Sequence, residues 1–278
     1  MERLAWSVMY WTLTFSMLSC FVSKIPIATP AGSFSFANAC NYTVWVASLS
    51  NAGVPPLTET GFALHPGDSA RVATPSGWGG RFWGRTNCLF DSTGSGSCLT
   101  GDCGGRMHCD GAGGEPPATL AEFTLYGANG LDFYDVSLVD GYNIPLAVTP
   151  LSYVMAPAPL SNAEAPDTKS SKSSVPNYTC AWAGCNRDVN AICPSELRLY
   201  SSTGEVVGCK SACEAFHTSE YCCTDAHNTP ASCPPTSFSK IFKSACPHAY
   251  SYAYDDASST FTCTGGSYLI TFCPRYPH

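Results

Sequence analysis

The sequence predicts a mainly β fold held by disulfides, on the basis of composition, strand patterning and cysteine content. Gly (24) and Pro (21) are plentiful, whereas only 13% of the 278 residues are charged. Aromatic and β-branched residues alternate in short runs that Gly, Pro and Ser separate, which favours many short strands. Seventeen cysteines, mostly at short spacings, indicate a disulfide framework formed in an oxidising compartment. These features favour a sandwich or a barrel.

The N-terminus has the pattern of a secretory signal peptide. Arg3 precedes an apolar run over residues 4–22, and we expect residues 1–31 to be removed by cleavage between Cys20 and Ala31. The length of the run also allows a retained signal anchor. Removal leaves sixteen cysteines, which can all pair, and 12 Lys+Arg against 20 Asp+Glu, a net charge of −8. This charge argues against nucleic acid and anionic membranes as partners.

The first half of the chain predicts short strands, in residues 33–49, 61–73 and 80–86. Residues 88–109 are mostly Gly, Ser, Asp and Cys, so we expect a disulfide-stapled loop without a core of its own. A hairpin over residues 120–145 returns to the sheet.

The second half changes character. Residues 150–179 lack aromatic residues in their middle part and predict a mobile insert that is dispensable for folding. Nine cysteines lie in residues 180–246, together with short helical pieces. The clearest piece has apolar residues at helical spacing from Phe238 to Ala245 and Ser237 as its N-cap. Alternation resumes in residues 250–273, which we expect to rejoin the first sheet.

Three regions follow from these patterns. We expect a β core from residues 32–87, 118–149 and 247–278, a small stapled region at 88–117, and a disulfide-rich lobe at 180–246, with the insert at 150–179 between core and lobe.

The hairpin carries the one cluster with a stated chemical use. Asn129-Gly130 predicts a two-residue type I′ turn. In that register the facing pairs on one side are Glu122 with Ser137 and Thr124 with Asp135. Glu122 and Asp135 are then diagonal neighbours roughly 7–8 Å apart, within the roughly 6.5–9.5 Å that two carboxyl groups need to flank a glycosidic bond and a water. The other interpretation is that these carboxylates are merely solvated.

Asp140 has the opposite strand parity to Asp135. It can join the pair only if the strand ends at an Asp140-Gly141 turn, which Gly141 favours. The closeness of several carboxylates would raise the pKa of at least one of them. We choose Glu122 as the general acid because its side chain is longer.

Other chemistry finds little support. Spacings such as Cys180/Cys185 resemble zinc ligands, but secretion and an even cysteine count favour disulfides. The histidines lack paired metal-ligand spacing, and the chain has no GxSxG nucleophile motif. We therefore expect neither a metal nor a cofactor.

The chain resembles the thaumatin-like proteins, a plant pathogenesis-related defence family. The resemblance rests on GSGSCLTGDCGGRMHC at residues 94–109 and extends through NACNYTVWVAS, GRFWGRTNC, PPATLAEFTL, LDFYDVSLVDGYNIP, TSEYCC and TFCP, so it covers about residues 32–278. It implies a flattened antiparallel β-sandwich, a loop-rich, disulfide-dense second domain with short helices, and a small stapled third region.

The resemblance also implies eight disulfides. They are Cys40–Cys273, Cys88–Cys98, Cys103–Cys109, Cys180–Cys263, Cys185–Cys246, Cys193–Cys209, Cys213–Cys222 and Cys223–Cys233.

The family has an acidic cleft lined by an Arg, a Glu and three Asp. The matching residues here are Arg81, Glu122, Asp135, Asp140 and Asp255. Asp256 is the alternative at the last position. Among these, Glu122, Asp135 and Asp140 are the candidate catalytic residues.

Three functions are consistent with the family. The first is a secreted, monomeric antifungal protein of the apoplast or cell wall that binds β-1,3-glucan or a related fungal wall polysaccharide in the cleft. The second adds weak endo-β-1,3-glucanase activity. The third is a non-enzymatic interaction or inhibitor protein that binds other secreted proteins through surface loops.

Two sequons are candidates for N-glycosylation. Asn177 borders the insert and is the better candidate, whereas Asn41 falls in an expected strand that would hide it.

Overall fold

The computed structural model describes residues 32–151 and 180–275. The predicted signal peptide, almost all of the insert and Asn177 lie outside them. The strands are β1 (Gly32–Asn38), β2 (Val44–Ser50), β3 (Gly61–Leu64), β4 (Ser69–Thr74), β5 (Gly79–Arg85), β6 (Leu89–Phe90), β7 (Gly96–Ser97), β8 (Leu120–Thr124), β9 (Asp132–Ser137), β10 (Leu146–Pro150), β11 (Ala183–Cys185), β12 (Arg198–Tyr200), β13 (Val206–Cys209), β14 (Phe261–Cys263) and β15 (Ser267–Phe272). The α-helices are α1 (Ala212–Phe216), α2 (Ser219–Cys222), α3 (Ser237–Ala245) and α4 (Asp256–Ser259).

Two sheets form the body of the molecule. One has the strand order β11-β10-β15-β1-β4 and the other β14-β9-β8-β5-β2-β3. Neighbouring strands are antiparallel except β1 and β15, which pair in parallel. The predicted mainly β sandwich is therefore confirmed, with one parallel pair where the first and last strands meet.

Aromatic side chains fill the space between the two sheets. Phe34 and Tyr268 from the first sheet meet Phe82 and Phe123 from the second, and all four are buried. The ring centroids of Phe34 and Phe123 lie 4.5 Å apart in an edge-to-face arrangement. Such rings bury about 150–250 Å² each, and their pairing adds about 0.5–1.5 kcal/mol beyond that burial. Strand alternation sends the neighbouring residues of the six-stranded sheet to its outer face.

The stapled region packs on part of that outer face through a buried arginine. Arg85 is fully buried and donates to the carbonyl oxygens of Arg106 (2.6 Å) and Met107 (2.7 Å). It also donates to Trp45 and Val46 of β2, at 3.3 Å each. Burial lowers the pKa of Arg85 to about 10, so the guanidinium stays charged at neutral pH. The region shares a small apolar cluster with the sheet, formed by Ala47, Trp83, Cys103, Cys109, Ala118 and Leu120.

The sixteen cysteines of residues 32–151 and 180–275 form the eight pairs that the resemblance implies. Cys40–Cys273 joins the ends of the parallel pair β1 and β15, across 233 residues of sequence. Chain-entropy arguments give a typical disulfide about 2–4 kcal/mol of stabilisation.

The lobe differs from the sequence expectations at two points. Helix α3 is present, but Thr236 is its N-cap, because its hydroxyl accepts from the backbone N–H of Ser239 at 3.2 Å. The prediction of Ser237 was wrong by one residue. Strand β11 joins the five-stranded sheet, so the sandwich takes its outermost strand from the range assigned to the lobe.

The Asn41 sequon lies outside any strand. Asn41 is exposed in a bend between β1 and β2, so the expectation that a strand hides it was wrong. The next strand, β2, begins at Val44. Among the described helices, none has the length and apolar character required to cross a membrane.

Candidate functional site

The β8–β9 hairpin has a different register from the predicted one. Glu122 lies directly opposite Asp135, rather than diagonal to it. The turn is longer than two residues because the Asp132 carboxylate fixes it, accepting from Tyr126 N at 2.8 Å and from the Tyr268 hydroxyl at 2.8 Å. The predicted facing pairs were therefore wrong by two positions. A shift of two keeps every side chain on its predicted face, whereas a shift of one would have reversed them.

This register aligns three charged residues across adjacent strands. Arg81 of β5 faces Glu122 of β8, which faces Asp135 of β9. The Arg81 Nη1 and Glu122 Oε1 atoms are 4.0 Å apart. Directly opposite residues have Cβ atoms about 4.5–5.5 Å apart. The row therefore places two carboxylate side chains next to each other, with one guanidinium at its end.

Asp140 reaches the same place from a turn. Strand β9 ends at Ser137, and the Gly141 N–H donates to the Leu138 carbonyl at 3.0 Å. Gly141 has φ +85°, a left-handed conformation that side chains disfavour. The turn that the sequence required for Asp140 is present.

These residues line a concave surface on the part of the outer face that the stapled region leaves open. Its volume is about 450 Å³, and it is open to solvent. We call it the acidic depression, and define it by Arg81, Glu122, Asp135, Asp140 and Asp256, with Asn51, Gly80, Leu120, Phe123, Thr124, Phe133, Ser137, Val139, Tyr250 and Ala253.

The structure places Asp256, and not Asp255, in this lining. Asp255 turns toward the lobe, where its carboxylate lies 3.0 Å from Lys243 Nζ and accepts from the Ser251 hydroxyl at 2.9 Å. Asp256 instead accepts from the Tyr250 hydroxyl at 2.9 Å. Sequence matching could not separate two adjacent aspartates, because only the backbone conformation at the start of α4 decides which one faces the depression.

Burial sets the electrostatics of the depression. It raises the pKa of Asp135 well above its ordinary value, and the charges of Glu122 and Asp256 raise it further. Burial also raises the pKa of Glu122, although the Arg81 charge opposes this and lowers it. The pKa of Asp140 is raised by burial too, again against Arg81. Asp135 is therefore the carboxyl group most inclined to hold a proton, rather than Glu122.

Asp135 also has an unusual hydrogen-bonding state. Its Oδ1 atom is buried, and within the described residues it has no hydrogen-bond partner. A buried carboxylate oxygen without a donor is unfavourable. A protonated carboxyl group, or a ligand hydroxyl that donates to it, relieves this cost.

Sequence reasoning missed the neutral part of the lining. Tyr250 and Phe133 present aromatic rings beside the carboxylates. Burial raises the pKa of Tyr250, which keeps its hydroxyl a donor. Phe133 could have been predicted, because it has the same strand parity as Asp135 and so lies on the same face of the hairpin. No local pattern linked Tyr250 to the hairpin. In residues 32–151 and 180–275, no group of three or more His, Cys, Asp or Glu is arranged to hold a metal ion.

Comparisons with known proteins bear on the family of this chain. The model of the thaumatin family matches residues 38–274. The chain is 51% identical over 248 residues to "Pathogenesis-related protein 5" of Arabidopsis thaliana, covering 89% of this chain and 92% of that protein. It is 48% identical over 246 residues to "Glucan endo-1,3-beta-glucosidase" of Prunus avium, covering 88% and 91%. A solved thaumatin-like xylanase inhibitor superimposes with a TM-score of 0.41 at 20% identity, covering 87% of this chain and 99% of the inhibitor. The chain belongs to the thaumatin family, whose members here include pathogenesis-related plant proteins.

Proposed function

We propose that this protein is secreted to the apoplast or cell wall and binds β-1,3-glucan of fungal walls in the acidic depression. The observation that carries the proposal is the row Arg81, Glu122 and Asp135 on the floor of an open concave surface. Eight disulfides suit an extracellular protein. Similarity to pathogenesis-related proteins supports the defence role.

The chemistry of the depression fits a neutral, hydroxyl-rich ligand. Carboxylates accept hydrogen bonds from hydroxyl groups, and the Arg81 guanidinium donates to them. Phe133 and Tyr250 offer apolar surface beside these polar groups, the combination of linings expected in a ligand site. An anionic polymer would meet four carboxylates against one guanidinium. The lining therefore favours a neutral polysaccharide over pectin-like or nucleic-acid ligands.

Weak hydrolysis is the second candidate, favoured by the facing carboxylates. One carboxyl group must be protonated to act as an acid while its partner stays ionised. Asp135 has the more strongly raised pKa, while Glu122 lies beside Arg81. We therefore propose Asp135 as the acid and Glu122 as the ionised partner, in place of the opposite assignment from side-chain length. Similarity to a protein named glucan endo-1,3-beta-glucosidase is consistent with this candidate.

The facing geometry makes the stereochemistry of any hydrolysis testable. Carboxyl groups in retaining glycosidases are about 5–5.5 Å apart, and those in inverting enzymes about 6.5–9.5 Å apart. The Cβ atoms of a directly opposite pair are about 4.5–5.5 Å apart, a spacing that favours the retaining arrangement. We expect proton NMR of fresh products to show the β anomer first. Initial release of the α anomer would contradict Glu122 and Asp135 as the reacting pair.

A binding and a turnover measurement on one preparation test the function. Isothermal titration of a soluble β-1,3-glucan into glucanase-free protein should give saturable binding, and Glu122→Gln should weaken it at least tenfold. Glu205→Gln is the matched control, since Glu205 is exposed and outside the depression. Reducing-end release measured on the same samples reports hydrolysis.

The outcomes separate the candidates. Binding without reducing-end release leaves a lectin-like protein and removes the enzyme. An absence of binding by the wild-type protein rejects the glucan proposal, and the alternative of a non-enzymatic interaction or inhibitor protein then becomes the better account.

A further inference from the structure

We propose that Lys243, on helix α3 of the lobe, is a positioning residue that holds Tyr250 and Asp256 in the acidic depression. Lys243 itself does not line the depression. The inference rests on the proposed function for its consequence, loss of glucan affinity, but its structural part can be measured without a ligand.

The Lys243 ammonium has a partner for each of its three N–H donors. Nζ lies 3.0 Å from Asp255 Oδ2, and it donates to the Ala249 carbonyl at 3.0 Å and to Ser259 Oγ at 2.8 Å. The side chains of Lys243 and Asp255 are 26% and 12% exposed. A largely desolvated, fully satisfied ammonium of this kind is a fixed structural point, unlike a surface ion pair.

All three acceptors belong to one segment, residues 249–259. Ala249 immediately precedes Tyr250, and Asp255 immediately precedes Asp256. The Lys243 ammonium therefore fixes the segment next to Tyr250 and next to Asp256. These are the two polar residues that the segment contributes to the lining of the depression. Asp255 extends the effect by accepting from Ser251 N at 3.0 Å.

The ends of the segment have anchors of their own, but its middle has few. Tyr250 exchanges backbone hydrogen bonds with β9, from Tyr250 N to Val136 O and from Leu138 N to Tyr250 O, both 2.8 Å. At the other end Phe261 pairs with Tyr134 of β9. Between them, the polar contacts described between residues 251–259 and the lobe are those of Lys243 with Asp255 and Ser259.

Charge gives Lys243 a second effect on the same residues. Asp255 and Asp256 are adjacent carboxylates, and Asp135 lies close enough to Asp256 to be influenced by its charge. The Lys243 ammonium neutralises Asp255 on the lobe side. Without it, the repulsion between neighbouring carboxylates would displace Asp256 from the depression.

The test compares Lys243→Met with Lys240→Met. Both lie on α3, but Lys240 is exposed, and its side chain makes no described hydrogen bond or ion pair with residues 249–259. Hydrogen–deuterium exchange should become at least tenfold faster in residues 250–259 of Lys243→Met and stay unchanged in β1. The same variant should bind soluble β-1,3-glucan at least fivefold more weakly. Lys240→Met should change neither quantity.

A double variant removes the confounding effect of an unpaired charge. Lys243→Met/Asp255→Asn deletes both charges. It should recover much of the melting temperature lost in Lys243→Met, while glucan binding stays weak. If Lys243→Met does not fold, the double variant is used in its place. Full recovery of glucan affinity together with stability would overturn the positioning role, because charge neutralisation would then be the only effect of Lys243. If the wild-type protein binds no glucan, the proposed function fails and hydrogen–deuterium exchange alone tests the inference. Faster exchange in residues 250–259 of Lys243→Met supports it, and unchanged exchange there overturns it.

Discussion

Replacing Asp135 by Asn should stabilise the protein at neutral pH, although it damages the proposed site. Asp135 faces Glu122, with Cβ atoms about 4.5–5.5 Å apart. At an effective dielectric constant of about 20, two unit charges about 5–6 Å apart repel by about 3 kcal/mol. The Arg81 charge beside Glu122 and partial exposure to solvent reduce this value. We expect a gain of about 1–2 kcal/mol in the free energy of unfolding, after this discount for screening.

The pH dependence gives the prediction its sign. The folded state raises the pKa of Asp135 above its unfolded value, so the folded state binds the proton more tightly. Stability contributed by the protonated group is present below the unfolded pKa of about 3.9 and is lost as the pH rises through the folded pKa. Asp135→Asn should therefore show its advantage at pH 7 and little at pH 3.

Differential scanning calorimetry at both pH values measures this difference. For a domain of this size a gain of 1 kcal/mol raises the melting temperature by about 2–4 °C, so we expect about 2–8 °C at pH 7. Glu205→Gln, which removes one exposed charge, is the control. A lower melting temperature for Asp135→Asn at pH 7, or an equal gain at pH 3, would refute the electrostatic reasoning.

Three further substitutions or treatments follow from the structure. Arg85→Met should destabilise by about 3–5 kcal/mol, because several carbonyl groups lose a buried charged donor, whereas Arg106→Met at an exposed position should have little effect on the melting temperature. Asp132→Asn should lower the melting temperature by several degrees, since its buried carboxylate holds the hairpin turn and the Tyr268 hydroxyl; an unchanged value would contradict that role. Full reduction should remove the protease resistance of residues 180–246, and persistent resistance would show that apolar packing alone holds the lobe.

Local patterns predicted the strands and the faces of their side chains, because the two-residue period of a strand is written in the sequence. They did not predict the register at Glu122 and Asp135. That register depends on Asp132, whose partners Gly266 and Tyr268 lie more than 130 residues away. A turn signal such as Asn129-Gly130 cannot report a contact of that range.

The composition of the site was predictable only in part. Arg81, Glu122 and Asp140 came from motifs and resemblance, and all three line the depression. Asp256 lines the depression in place of Asp255, because the backbone at the start of α4 directs Asp255 to Lys243 of the lobe, a contact that local sequence does not report. The assignment of the acid changed for a similar reason, since burial is a property of the folded molecule.

NMR mapping of a glucan titration tests the central claim most directly. Uniformly ¹⁵N-labelled protein would be titrated with a soluble β-1,3-glucan oligosaccharide and followed by backbone amide shifts. Binding in the acidic depression predicts the largest shifts at Arg81 in β5, in β8 and β9, and in residues 250–256, with β1 and β15 unaffected. Shifts confined to other surfaces, or no shifts at saturating oligosaccharide, would contradict it.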